Sequence, residues 1–170
     1  ALGSNATSVT LAGGASTTAT LSLGTGAGDA GEYTATVSSA DDSASQNVSV
    51  LAPANFAVTI ENASDTVAGE DLAVEFTVEN TGDVEATQTV DLTTAPDIGT
   101  NATSVTLSGG ASTTATLSVG TSAGDAGEYT ATVASADDSA SQNVTVLEPA
   151  SFAVAIQNAS GGVAGEAVAV

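Results

Sequence analysis

Lysine, arginine and histidine are absent from this chain, and so are cysteine, methionine and tryptophan. Each absence removes a kind of chemistry. With no basic side chain, nothing can displace the counterions of a phosphate backbone, which argues against a nucleic-acid partner. Anionic membrane surfaces are disfavoured for the same reason. Without His, Cys or Lys there is no Ser–His triad, no thiolate nucleophile, no Schiff base and no Zn–His centre. The missing cysteines also exclude disulfides. No apolar run approaches the ~20 residues of a membrane-spanning helix. No signal peptide is expected, since Ala1 opens directly on Leu, Gly, Ser and Asn, and with no Met anywhere the sequence reads as a piece of a longer chain.

Aromatic residues are scarce too: three Phe and two Tyr. A carboxylate pair of the glycosidase kind is the one catalytic device left, and such pairs normally sit in aromatic-lined clefts. Phe56, Phe76, Phe152, Tyr33 and Tyr129 all occupy inward positions of alternating stretches, which makes them core. No enzyme is expected, and no cofactor. The Gly pairs at 13–14 and 109–110 lack a following helix and a Lys, so they are turns and not phosphate cradles.

What the chain does have is acid: 20 Asp and Glu, for a formal net charge of −20. No side-chain salt bridge can offset that repulsion. Concentrated salt shortens the Debye length to about 3 Å at 1 M and relieves it. This points to a salt-adapted or cation-rich setting, with loosely condensed Ca2+, Na+ or K+, the plainer alternative being an acidic mesophilic surface protein. The rest is dominated by Ala, Thr, Ser, Val and Gly, a small and β-branched composition that favours strands.

One stretch organises the chain, and it occurs twice. Gly28-Asp29-Ala30-Gly31-Glu32-Tyr33-Thr34-Ala35 returns as Gly124-Asp125-Ala126-Gly127-Glu128-Tyr129-Thr130-Ala131. An acidic residue, a Gly and then a Tyr opening an alternating strand is the pattern of a tyrosine corner in immunoglobulin-like sandwiches. The repeat is much longer than this. Asn5 to Leu51 matches Asn101 to Leu147 except at Ala12/Ser108, Leu23/Val119, Gly26/Ser122, Ser38/Ala134 and Ser49/Thr145. More loosely, Pro53, Phe56, Val58, Ile60, Asn62, Gly69 and Glu70 recur as Pro149, Phe152, Val154, Ile156, Asn158, Gly165 and Glu166. The unit is therefore ~96 residues, the size of a seven-stranded sandwich. Three parts follow: residues 1–52 as the back of one repeat, 53–148 as a complete repeat, and 149–170 as the front strands of another.

Within the complete repeat, Phe56, Val58 and Ile60 share one face. Leu72, Val74, Phe76 and Val78 alternate with Glu75, Thr77 and Glu79, the cleanest period-two pattern in the chain. Asn80-Thr81-Gly82-Asp83 is a hairpin signal. The next strand places Val84, Ala86, Val90 and Leu92 inward, with Gln88 out of keeping and marking an edge or a bulge. Short strands follow around Thr103–Leu107 and Thr113–Val119. The last pair carries Tyr129, Ala131, Val133, Val144 and Val146 inward, with Ala136-Asp137-Asp138 as its turn. The fold class is all-β: tandem immunoglobulin-like antiparallel sandwiches of about seven strands per repeat. Pro53 and Pro149 lie in short linkers, so successive units should stack semi-rigidly as a rod.

Six Asn-x-Ser/Thr sequons occur, at Asn5, Asn47, Asn62, Asn101, Asn143 and Asn158. They are candidates for N-glycans, with Asn47 and Asn143 predicted to face outward. Asp41-Asp42 and Asp137-Asp138, like Glu70-Asp71 and Asp125 with Glu128, are weak candidates for Ca2+ ligands. None has the spacing of a dedicated calcium loop, and a solvated hairpin tip is the plainer reading.

The phrases Phe56-Ala57-Val58-Thr59-Ile60, Val67-Ala68-Gly69-Glu70 and Val74-Glu75-Phe76-Thr77-Val78-Glu79-Asn80-Thr81-Gly82, with the Asp-x-Gly-x-Tyr corner, make the unit resemble the CARDB-like immunoglobulin fold. It is most similar to the tandem copies in surface proteins of haloarchaea. The resemblance implies a fold and not an activity. It implies no inter-sheet disulfide, because Ala35 and Ala131 stand where antibody-type domains carry the second Cys. It also implies a place at the cell surface, in adhesion, scaffolding or filament building.

The expectation is a non-enzymatic, self-associating component of an extracellular filament or surface layer. Residues 150–170 of one chain could complete residues 1–51 of a neighbour by strand addition. The alternative is an adhesin or stalk module that binds Ca2+ or a ligand through its acidic loops, which calorimetric titration with Ca2+ at high salt would distinguish.

Overall fold

The computed structural model describes residues 2–157 and 161–165. Ten strands follow in order: β1 (Gly31–Ser38), β2 (Ser43–Val50), β3 (Phe56–Ala63), β4 (Thr66–Val67), β5 (Asp71–Asn80), β6 (Ala86–Ala95), β7 (Asn101–Leu107), β8 (Ser112–Gly120), β9 (Gly127–Ala134) and β10 (Ser139–Leu147). The last eight build one immunoglobulin-like sandwich. Its three-stranded sheet runs β3-β5-β8, and its five-stranded sheet runs β4-β10-β9-β6-β7. All pairs are antiparallel except β4 with β10.

Alternation drives the assembly. On β5, Leu72, Val74, Phe76 and Val78 are fully buried while Glu75 and Glu79 are exposed. They meet Val90 and Leu92 of β6, Ala131 and Val133 of β9, and Val144 of β10 in a single core that also holds Phe56, Val105, Leu107, Leu117 and Val119. Each large side chain buried this way contributes about 1.5–3 kcal/mol. All members of this core lie between residues 54 and 144.

The first edge changes sheets. β3 pairs with β5 from Phe56 to Ala63, with a register shift between Ile60 and Asn62. The chain then crosses over, and β4 pairs with Val146 and Leu147 on the other sheet. The sequence reading marked Gln88 as an edge or a bulge. The bulge is here, at Glu61, while at Gln88 β6 is paired with β7 alone, its β9 ladder starting only at Asp91, as the edge reading has it. Gln88 sits in regular register opposite Val105. It continues the inward phase of β6 beyond the point where β9 ends, so a polar side chain can face the β9–β10 turn.

Asn80–Asp83 is also not a hairpin. β5 and β6 lie in different sheets, so this segment is a corner between layers, and Val84 beyond it is exposed. Phe152 is not core: it is 93% exposed, as Val154 is at 95%. Alternation alone marks a strand, but burial needs a partner surface, and residues 150–157 have no strand partner among the described residues. Asn158 and Glu166 lie outside the described residues.

β1 and β2 form a separate hairpin, Gly31 opposite Val50 through Ser38 opposite Ser43. It mirrors β9–β10 in register. The equivalents of β7 and β8, within residues 5–24, form no strands. Among the described residues, no counterpart of their ladder partners β6 and β5 lies beside them.

Candidate functional site

Two assemblies of polar groups stand out, and both lie at the end of the sandwich where β3 begins. The first is the turn between β9 and β10. Ser135 Oγ accepts from the amides of Asp137 and Asp138, at 3.2 and 3.0 Å, which sets the turn. The two carboxylates then point at β3. Asp137 Oδ2 accepts from Phe56 N at 2.9 Å, and Asp138 Oδ2 accepts from Val58 N at 2.9 Å. Ser135 Oγ donates to Phe56 O at 2.8 Å, and Gln142 Nε2 donates to Ala63 O at 2.9 Å.

β3 is an edge strand, and its outward backbone groups would otherwise be a template for foreign pairing. Side chains of the opposite sheet satisfy them instead. The arrangement is a strand clamp. Gln88 completes it, donating from Nε2 to Asp137 Oδ2 at 2.6 Å and accepting from Ala136 N at 3.1 Å.

The electrostatics follow from these donors. The Phe56 amide, then the Gln88 amide group, hold the Asp137 carboxyl below its ordinary range, with slight burial opposing. The Val58 amide, then that of Ser139, do the same for Asp138. Asp137 and Asp138 are therefore occupied by backbone amides. Among the described residues no group of three or more acidic side chains is placed to hold a metal ion. Asp125 accepts from Ser122 N and closes its own turn.

The second assembly is a docked linker. Ala52 N donates to Asp83 Oδ2 at 2.8 Å, and Asp83 N donates to Ala52 O at 3.1 Å. Thr81 N donates to Asn55 O at 2.8 Å. The backbones pass so closely that a Cβ on Gly82 would stand 2.0 Å from Pro53 O. Asn80 is the hub beneath them, fully buried. Its Nδ2 donates to Val84 O and Leu107 O at 2.8 and 3.1 Å, and its Oδ1 accepts from Gly82 N and Asn55 N at 3.1 and 3.2 Å.

The sequence reading took Asn80 for a hairpin residue and Asp137 for a solvated tip, and so missed both roles. A signal existed. Asn80 and Gln88 each extend an inward phase, and a polar residue at an inward position must find hydrogen bonds.

Residues 2–50 repeat much of this geometry without the core. The Tyr33 hydroxyl donates to Asp29 O at 2.8 Å, as that of Tyr129 does to Asp125 O at 2.8 Å. Asn5 Nδ2 donates to Ser22 O as Asn101 Nδ2 does to Ser118 O. Ser39 Oγ accepts from Asp41 N and Asp42 N at 3.2 and 3.1 Å, so the clamp turn is already set. Yet no strand lies against Asp41 and Asp42 among the described residues. Leu21, Leu23, Tyr33, Val37, Val48 and Val50 line an open trough of about 620 Å³. Val37 is 63% exposed, whereas its equivalent Val133 is fully buried.

The described sequon residues Asn5, Asn47, Asn62, Asn101 and Asn143 are all exposed. None of the described helical segments is long and apolar enough to cross a membrane.

No protein-family model matches the chain. No curated protein matches it either. Among solved structures it is similar to a β-glucosidase from Listeria innocua in complex with glucose, at 19% identity and a TM-score of 0.46, over 55% of this chain and 16% of that one. A Bifidobacterium adolescentis GH3 β-glucosidase matches at 27% identity and 0.45, over 55% and 17%. A CARDB domain from Pyrococcus furiosus, solved in complex with di-metal ions, matches at 13% and 0.45, over 57% of this chain and 94% of that one. The chain thus spans less than a fifth of the glucosidases it matches.

Proposed function

We propose that the chain is a non-enzymatic structural component, in which CARDB-like, immunoglobulin-like repeats are stacked into an extracellular filament or surface layer of a salt-adapted archaeal cell. The docked linker carries this reading. Ala52 to Asn55 is hydrogen-bonded into the corner formed by Asn80–Asp83, so the joint between repeats has little freedom. A stiff joint repeated at a constant ~96-residue interval makes a rod. Near-identical repeats make near-identical joints, and the acidic surface keeps such an array dispersed in concentrated salt. The exposed sequons, Asn47 and Asn143 among them, are where N-glycans would sit on it.

Negative-stain microscopy at molar salt tests the reading. Extended particles of constant width are expected. Particles with freely variable angles between units would refute it.

A further inference from the structure

The two edges of the three-stranded sheet are built differently. β3 is closed: Asp137, Asp138, Ser135 and Gln142 occupy outward backbone groups of Phe56, Val58 and Ala63. β8, at the opposite edge, is open. Its ladder with β5 runs unbroken from Asp71 opposite Gly120 to Glu79 opposite Ser112. Asn80 N donates to Ala111 O at one end, and Thr121 N to Glu70 O at the other. Alternation then turns the backbone groups of Thr113, Ala115, Leu117 and Val119 toward β5, and those of Ser112, Thr114, Thr116 and Ser118 away from it. Among the described residues only the Asn101 side chain reaches these outward groups, donating from Nδ2 to Ser118 O at 2.8 Å. β8 belongs to the sandwich whose strands β3 to β10 are all described, so its open edge is a property of the fold itself.

This edge is also uncharged. No acidic residue occurs from Ile98 to Gly124, the longest such stretch of the complete repeat, and it holds β7, β8 and the turn between them. A strand with no charge, proline or bulge lacks the usual guards against foreign pairing. Two copies each carry a net charge of −20 and no basic side chain. Their acidic surfaces repel, so contact between them belongs where neither bears charge. We infer that β8 pairs antiparallel with β8 of a second copy across a two-fold axis, merging the two three-stranded sheets into one. The contact is isologous and closes at the dimer. It does not depend on the filament reading.

Asn101 sets the register. With Ser118 O taken, the unused outward groups are centred on Thr114. Thr114 therefore faces its own mate, and Ser112 faces Thr116 of the second copy, each pair exchanging both of its N–H···O bonds. The hydroxyl pair Thr77–Thr114, at 3.1 Å, then continues into the same pair of the other copy. Glu75 lies opposite Thr116 and Glu79 opposite Ser112. Across the axis these two acids fall in one row, three strand spacings or about 14 Å apart. That is well beyond the Debye length of about 3 Å at 1 M salt, so concentrated salt permits the pairing and dilute salt opposes it.

Sedimentation equilibrium of the full chain at molar salt should show a monomer–dimer equilibrium that weakens as salt is reduced. Thr114→Pro removes an outward N–H that the domain itself does not use. Thr116→Asp puts a carboxylate at an exposed position of the edge. Each should weaken dimerisation by about tenfold or more, with circular dichroism unchanged. Because the chain has no cysteine, single replacements report the register. Facing Cα atoms in a pair of this kind stand about 5.5 Å apart, within disulfide reach. Oxidised Thr114→Cys should run as a covalent dimer on a non-reducing gel, whereas Thr116→Cys, about 13 Å from its mate, should not. A chain monomeric at every concentration overturns the pairing and leaves the filament reading standing. Dimers that ignore both Thr114→Pro and Thr116→Asp also overturn it, as do dimers bridged as readily through Thr116→Cys as through Thr114→Cys.

Discussion

Replacing Asn80 by Ala removes the hub on which the corner and the linker both depend. Four hydrogen bonds are lost, two of them, to Leu107 O and from Gly82 N, in fully buried surroundings. Leaving a buried group unmatched costs ~1–3 kcal/mol, and a partly hydrated bond contributes ~0.5–1.5 kcal/mol. The bonds to Val84 O and from Asn55 N belong to the second kind. Together these span ~3–9 kcal/mol, and even the lower part of that range, about 4 kcal/mol, is a large share of the ~5–15 kcal/mol by which a domain is stable. For a domain this size each 1 kcal/mol moves Tm by ~4–8 °C, so a fall of about 15–30 °C is expected.

Thermal unfolding followed by circular dichroism at molar salt measures it, with Ser104→Ala on the exposed face of β7 as the neutral control. Asn80→Asp sharpens the test. It keeps the acceptor for Gly82 and Asn55 but turns a carboxylate oxygen toward the carbonyls of Val84 and Leu107. At neutral pH it should destabilise at least as much as Ala, and protonation should restore part of the loss. A cost for Asn80→Ala below ~1 kcal/mol would refute the reasoning, since no buried bond of this kind is worth less when orphaned.

Three other outcomes follow from the same structure. Tyr129→Phe deletes the bond to Asp125 O and should cost ~0.5–1.5 kcal/mol, while Tyr33→Phe, outside the core, should leave the main unfolding transition unmoved. The clamp carboxylates of Asp137 and Asp138 are lowered from the ordinary value of 3.8 in the folded state. Their stabilisation is therefore fully present above that value and is lost as pH falls through the lowered ones. At molar salt, where charge repulsion is screened, Tm should fall on acidification below ~4, and Asp137→Ala with Asp138→Ala should flatten that fall. Last, with a net charge of −20 and no cation to offset it, Tm should drop as salt is reduced from molar to millimolar; a Tm independent of salt would contradict this.

The fold class was legible because alternation survives in the sequence wherever a strand has one wet face. β5 shows it most clearly, and its inward residues are buried as the pattern implies. What alternation does not encode is which sheet a strand joins. Asn80-Thr81-Gly82-Asp83 has hairpin chemistry but bridges two layers, because Asn80 faces inward and ties β5 to Val84 and Leu107 across the core. The clamp was illegible for a related reason. Asp137 and Asp138 look like a solvated tip until β3, ~80 residues earlier, is brought against them. Phe152 was misplaced because a pattern identifies the face a residue prefers but cannot supply the surface that covers it.

The duplicated stretch separates local from tertiary encoding within one molecule. Residues 5–51 and 101–147 are nearly the same sequence in two surroundings, one with β3, β5 and β6 packed against it and one without. The tyrosine hydroxyl bond, the serine-anchored aspartate turn and the β1–β2 register persist in both, so these are set by neighbours in sequence. The strands equivalent to β7 and β8 do not persist. Their ladders run to β6 and β5, and a strand without a ladder has no hydrogen bonds to offset its loss of backbone entropy. The half-repeat is therefore a preformed hairpin carrying an unformed flank.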